Sequence, residues 1–177
     1  VREEDAIMDS ESARMSSAAE ARFRIDYPNS KPRVVKVVAL DAASERVVKR
    51  VAQQGWQRAT FFTSIKFEGA ARSDESWSMQ AWLSDLAGRT KALVEEVAAA
   101  DLVVMVSSAG TSAQAAAVIG EACAARKVMT MALIIGSEQR SNEELSKTLA
   151  ALRPYASMLV IASGDEYIEE MLAALRA

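Results

Sequence analysis

Three short stretches hold the residue types that could do chemistry: "DAAS" at 41–44, "SSAGTS" at 107–112 and "SGD" at 163–165. Each follows an apolar run and precedes a segment with helical spacing, so each reads as a turn from a strand into a helix. In the second stretch Ser107, Ser108, Thr111 and Ser112 supply hydroxyls, and Gly110 permits a tight turn or a close backbone approach. The amides of Ser112, Ala113 and Gln114 would open the following helix, where the partial positive charge of a helix start favours an anion. That set suits a phosphate, and it suits an empty helix cap built from Thr111 and Gln114 equally well. No lysine with Walker-type spacing accompanies it. Asp41 and Ser44 from the first turn, and Ser163, Gly164 and Asp165 from the third, would line the same crevice. Asp41 is the carboxylate placed to act as a base on a phosphorylated substrate; Asp41 and Asp165 also read as ordinary helix-start residues.

Composition narrows the chemistry. The chain has no histidine, which removes Ser-His-Asp and Cys-His nucleophile activation, histidine zinc sites and the usual general base near neutral pH. A single cysteine, Cys123, excludes a disulfide framework and a thiolate zinc site; it reads as a buried structural thiol and points to a reducing, cytoplasmic setting. A net charge of -3 over 177 residues gives no basic patch for nucleic acid or an anionic membrane surface. No apolar run approaches the length of a membrane helix, and the charged start lacks a signal-peptide core. No metal site and no particular cofactor is indicated. Val1 in place of Met leaves the native start open.

The elements that must position these turns follow from periodicity. Residues 1–31 are polar and charged and read as a tail or loosely docked helix, closed off by Pro28 and Pro32; residues 32–177 read as one α/β domain. Strands are expected at 33–40, 58–65, 101–107, 127–135 and 157–163. Between the first two, Val47, Val48 and Val51 form a helical stripe, with Ser44 as a cap and Gly55 as a left-handed stop. The polar stretch "KFEGAARSDES", with Lys66 and Arg72, reads as a mobile loop. Trp82, Leu86, Leu93 and Val97 predict a helix over most of 80–100, weakened at Gly88. Capping boxes are expected at Ser141 with Glu144 and at Ser163 with Glu166. The helix from 113 to 126 is apolar nearly all round, so a cover is required, and a second subunit is expected to supply it.

Alternating strands and helices imply a parallel sheet with helices on both faces, and ligands in such sheets sit outside the carboxyl ends of the strands where strand order reverses. "KVVALDAASERVVKRVAQQGW", "ADLVVMVSSAGTSAQAAAVIGEACAARKVMTMALII" and "LRPYASMLVIASGDEYIEEML" resemble the nucleotide-binding half of tubulin and the bacterial division GTPase FtsZ, in element order across most of 33–175. The resemblance implies strands one and three side by side and a nucleotide over the three turns. Where that family carries a run of glycines after strand one this chain has Asp41, Ala42, Ala43 and Ser44, and GGGTGTG is reduced to residues 107–112 with Gly110 as its glycine. The family's second domain and the acidic loop used in hydrolysis would lie beyond Ala177, so GTP turnover is not expected. "DLVVMVSSAGTSAQAAAVIGEAC" also resembles the phosphosugar-binding SIS domain, whose S-x-S-G-x-[ST] loop is matched by Ser107, Gly110 and Ser112, with Ala109 replacing the middle serine.

The expectation is therefore a three-layer, Rossmann-like α/β domain, tubulin/FtsZ-like, with a mostly parallel five-stranded sheet. It would bind a nucleotide or another small phosphorylated ligand without hydrolysing GTP and would associate as a homodimer. The alternatives are an enzyme acting on a phosphorylated sugar, and a decayed nucleotide-binding fold serving as an assembly subunit.

Overall fold

A β-branched run buried on both sides starts the sheet. The structure, a computed structural model, describes residues 31–64, 82–85, 88–162 and 164–177. The chain divides between Lys31 and Pro32 into two units, and every element of the sheet and its helices belongs to the second. These elements are β1 (Val35–Ala39), α1 (Ala42–Ala52), β2 (Ala59–Thr63), β3 (Trp82–Asp85), β4 (Thr90–Ala92), α2 (Leu93–Ala98), β5 (Leu102–Ser108), α3 (Ala115–Arg126), β6 (Met129–Ile135), α4 (Asn142–Leu152), β7 (Met158–Ile161) and α5 (Tyr167–Ala174). The strands form a seven-stranded sheet in the order β4-β3-β2-β1-β5-β6-β7. The five strands β2, β1, β5, β6 and β7 run parallel, with Val35 opposite Ala59 on one side and Leu102 on the other. β3 and β4 extend the β2 edge antiparallel.

Alternation along the strands divides the core into two layers. Val38, Val103, Met105 and Ile134 pack with Leu93 of α2, Ile119 and Cys123 of α3 and Leu152 of α4. Val37, Val104, Val106 and Leu133 pack on the other face with Val48 and Val51 of α1 and Ile168 and Leu172 of α5. Helices thus cover both faces, which parallel strands this apolar require. Lys36 is the exception within β1: it is 9% exposed, its Nζ meets Glu96 of α2 at 2.9 Å and the Thr60 hydroxyl at 3.3 Å, and it lies 5.7 Å from the centre of the Phe62 ring. A charge can sit in this strand because its partner and the aromatic face are built around it.

Two expectations are corrected here. Residues 82–85 and 90–92 are a hairpin rather than helix; its turn is held by the Asp85 carboxylate, which accepts from Arg89 N at 2.6 Å, and by Gly88 at φ +84°. The spacing of Trp82 and Leu93 joined residues of two different elements, and only Leu93 and Val97 share a helix. The covering of α3, assigned from sequence to a second subunit, is supplied inside the domain by α2, α4 and the 3-10 turn Arg153–Tyr155. Gly120 makes this possible: a Cβ there would stand 2.5 Å from the Tyr155 Cβ, so α3 and that turn meet backbone to side chain. The exposed residues of α3 are Glu121, Ala124, Ala125 and Arg126, small or charged. Among the described residues no helix is long and apolar enough to cross a membrane. The segment 66–76, with Lys66 and Arg72, lies outside the described residues.

Candidate functional site at the reversal of strand order

β1 is followed by β2 on one side of it and has β5 on the other, so the order reverses between β1 and β5, as expected for strands one and three. Leu40 N donates to Val106 O at 2.9 Å, keeping the two strand ends together until Asp41 turns away. Asp41 is the N-cap of α1: its Oδ1 accepts from Ala43 N at 3.0 Å and Ser44 N at 2.9 Å, while Asp41 N donates to Ser44 Oγ at 3.1 Å. Ser44, expected as the cap, is instead the third helical residue closing the capping box, because an aspartate three residues ahead accepts more strongly from the free amides.

The same carboxylate reaches across to the second turn. Ser108 N donates to Oδ2 at 2.7 Å and Ser108 Oγ to Oδ1 at 2.9 Å. The hydroxyls of Ser107 and Thr111, 2.7 Å from one another, stand 3.3 and 3.4 Å from Oδ2. Asp41 and Ser108 are each 8% exposed and Ser107 is fully buried. The four short donors, Ala43 N, Ser44 N, Ser108 N and Ser108 Oγ, match the roughly four lone-pair positions of a carboxylate. Three of them fall on Oδ1 and one, Ser108 N, on Oδ2, so the carboxylate is held as the acceptor that joins the two turns.

The loop after β5 is pinned from the α4 side. Gly110, at φ +90°, donates its N–H to Thr148 Oγ1 at 2.9 Å, and Thr148 Oγ1 donates to Thr111 O at 3.2 Å. The left-handed backbone is what calls for glycine here; a Cβ on Gly110 would meet the end of the exposed Glu144 side chain at 3.3 Å. Thr111 donates to Ser108 O at 2.9 Å rather than capping the next helix; Gln114 stands at the N-cap of α3 without a side-chain cap bond, which corrects the Thr111–Gln114 capping box. Ser112 and Gln114 are exposed at the rim, and Ala113 holds φ +47°. Thr148 carried no signal in the sequence, being one hydroxyl among the polar residues of α4. The Ser141–Glu144 capping box forms as expected, and the Ser141 amide, with its hydroxyl and Arg140, holds the Glu144 carboxyl below its usual range.

The described residues of the third turn bond to α1. Asp165 pairs with Arg50 at 2.8 Å, in the last turn of α1 and so at the other end of that helix from Asp41. This bond raises the Arg50 guanidinium above its ordinary value. A cavity of about 570 Å³ beside Gly164 carries Glu138, Asp165, Glu166 and Glu169 against Arg50, a net negative lining unsuited to a phosphate. Ser163 lies outside the described residues, and with it the Ser163–Glu166 box. A second cavity, of about 380 Å³, lies at the amino ends of the strands between Glu121, Val128, Tyr155 and Ser157. Burial pushes the Cys123 thiol up to about 11, so it packs as an inert group. Among the described residues no group of acidic or cysteine side chains is placed to hold a metal ion.

No protein-family model matches the chain, and comparison with curated proteins gives no match.

Proposed function

We propose that the domain is a binding module for a phosphorylated small molecule, a nucleotide or sugar phosphate, received at the carboxyl ends of β1 and β5 and released unhydrolysed. The observation that carries this reading is the convergence of Ser108 N, Ser108 Oγ and the first amides of α1 on a single anionic group at the reversal of strand order. Donors from two separated loops focused on one anion are the machinery by which α/β sheets take a phosphoryl group. The resemblance to the tubulin/FtsZ nucleotide-binding half and to the SIS loop fits the same chemistry.

Absence of turnover follows from what the loops lack. Phosphoryl transfer needs an oriented water and extra stabilisation of charge on the moving group. The turns 41–44 and 107–112 carry no lysine or arginine to supply that stabilisation. Titration calorimetry of the full chain with guanine and adenine nucleotides and with hexose phosphates is expected to give saturable binding to one of these classes. Phosphate release from GTP is expected to stay at the level of the protein-free control. Binding of none of them would contradict the reading.

One observation favours a second reading. The anion at the centre of the donors belongs to the chain itself, as it would in a decayed nucleotide-binding fold kept as an assembly subunit.

A further inference from the structure

We infer that the open edge of the sheet at β7 is a self-association surface, and that two copies of the chain pair β7 against β7, antiparallel, into one continuous sheet. β7 ends the strand order, with β6 as its one strand neighbour among the described residues. Ala162 N donates to Ile134 O, and the alternation of a parallel ladder turns the amides of Met158 and Val160 the same way. The N–H and C=O groups of Leu159 and Ile161 therefore face outward, and among the described residues no backbone bond reaches them. The side chains agree. The large apolar side chains left exposed among the described residues are Met129, Met158 and Ile161, all on β6 or β7. Residues 156–162, "ASMLVIA", carry no charge. The opposite edge is built differently: β4 is three residues long and carries Lys91, paired with Glu96 at 3.7 Å. Shortness and lysine keep a sheet edge from pairing, and β7 lacks the lysine.

The chemistry of the edge specifies its occupant. A row of open backbone donors and acceptors takes another strand, and the register that uses every outward group of Leu159 and Ile161 is self-complementary. About a twofold axis at Val160, Leu159 faces Ile161 of the second copy and exchanges both bonds with it, and the symmetry repeats the pair. This register also sets Met158 against Ala162 of the second copy and draws Ile161 out of water. Charge fixes the direction. Arg153, exposed and in no ion pair among the described residues, lies where the chain enters β7, and the exposed Glu166 lies just beyond its exit. Antiparallel pairing brings the entry of one strand beside the exit of the other, so arginine approaches glutamate. The guarded β4 edge stops growth at two copies.

The test is solution mass combined with residue-resolved amide exchange. Sedimentation equilibrium of the full chain from about 10 µM to about 1 mM is expected to show a monomer–dimer equilibrium that reaches twice 19.1 kDa and no larger species. The amides of Leu159 and Ile161 are expected to exchange more slowly as concentration rises. Ile161→Lys, at an exposed position, is expected to raise the dissociation constant at least about tenfold and to leave the melting temperature of the dilute protein unchanged. Met158→Lys repeats the measurement at the other exposed side chain of the strand. Arg153→Glu is expected to weaken association about threefold, and Glu166→Lys added to it to restore the wild-type value. A chain that stays monomeric at the highest concentration, or a dimer that both lysine variants leave intact, would overturn the inference. So would a monomer whose Leu159 and Ile161 amides are already protected, since another segment of the same chain would then occupy the edge.

Discussion

Asp41 carries more of the local energetics than any other residue of the crevice. Removing it strips α1 of its cap and leaves Ser108 N and Ser108 Oγ short of an acceptor. Asp41→Ala is expected to lower stability by about 3 kcal/mol, the sum of a lost cap and unsatisfied buried donors, and urea unfolding measures it. Cys123 gives the opposite kind of test. With its thiol pushed up to about 11 by burial, the folded protein is expected to react with a thiol reagent at pH 8 about a hundredfold more slowly than the unfolded chain. The sign for stability follows: the unfolded thiol ionises first, near 9.0, so its contribution is intact below that pH and is lost as pH rises toward 11. At this scale the hydroxyls and Asp41 were legible because their types and their place after apolar runs announce a turn. Their mutual bonding was not, since Asp41 and Ser108 are 67 positions apart and only the sheet brings them together. Thr148 was invisible for the same reason.

Elements were read well where one period covered one element. The five parallel strands and the helices at 42–52, 115–126 and 142–152 stand close to their expected places. The hairpin at 82–92 was missed because apolar residues from two elements fell near helical spacing, while Gly88 was taken as a weak point in a helix. The all-apolar circumference of α3 was read correctly as a buried helix, but its cover comes from α2, α4 and the turn at Tyr155. It follows that Ile119→Glu, at a residue 1% exposed on the sheet side of α3, is expected to unfold the domain rather than separate subunits. Burying an unpaired charge there costs at least about 3 kcal/mol, and circular dichroism alongside solution mass distinguishes the two outcomes. The β1–α2 contact makes a second prediction. Glu96→Ala leaves Lys36 buried without its carboxylate and is expected to cost about 3 kcal/mol, whereas Lys36→Met with Glu96→Leu recovers most of that loss. Chemical denaturation of the three proteins checks it.

On the scale of the whole molecule, the arrangement of five parallel strands with α1 and α5 on one face and α2, α3 and α4 on the other sets where a ligand can approach. Strand order could be anticipated only through a resemblance, because periodicity says which segments are strands and not which are neighbours. The reversal between β1 and β5 draws two of the three expected turns together, and Asp165 of the third pairs with Arg50 beside an acidic cavity. Reception of a phosphorylated ligand in the crevice between those two strand ends is tested most directly by a residue-resolved amide NMR titration of the full chain with the nucleotides and hexose phosphates. Saturable shifts are expected to concentrate at residues 41–44 and 107–115, with the amides beside Glu121 and Tyr155 unmoved. Saturable shifts confined to the cavity between Glu121 and Tyr155, or none at the ends of β1 and β5 at millimolar ligand, would contradict a phosphate-ligand site in this crevice.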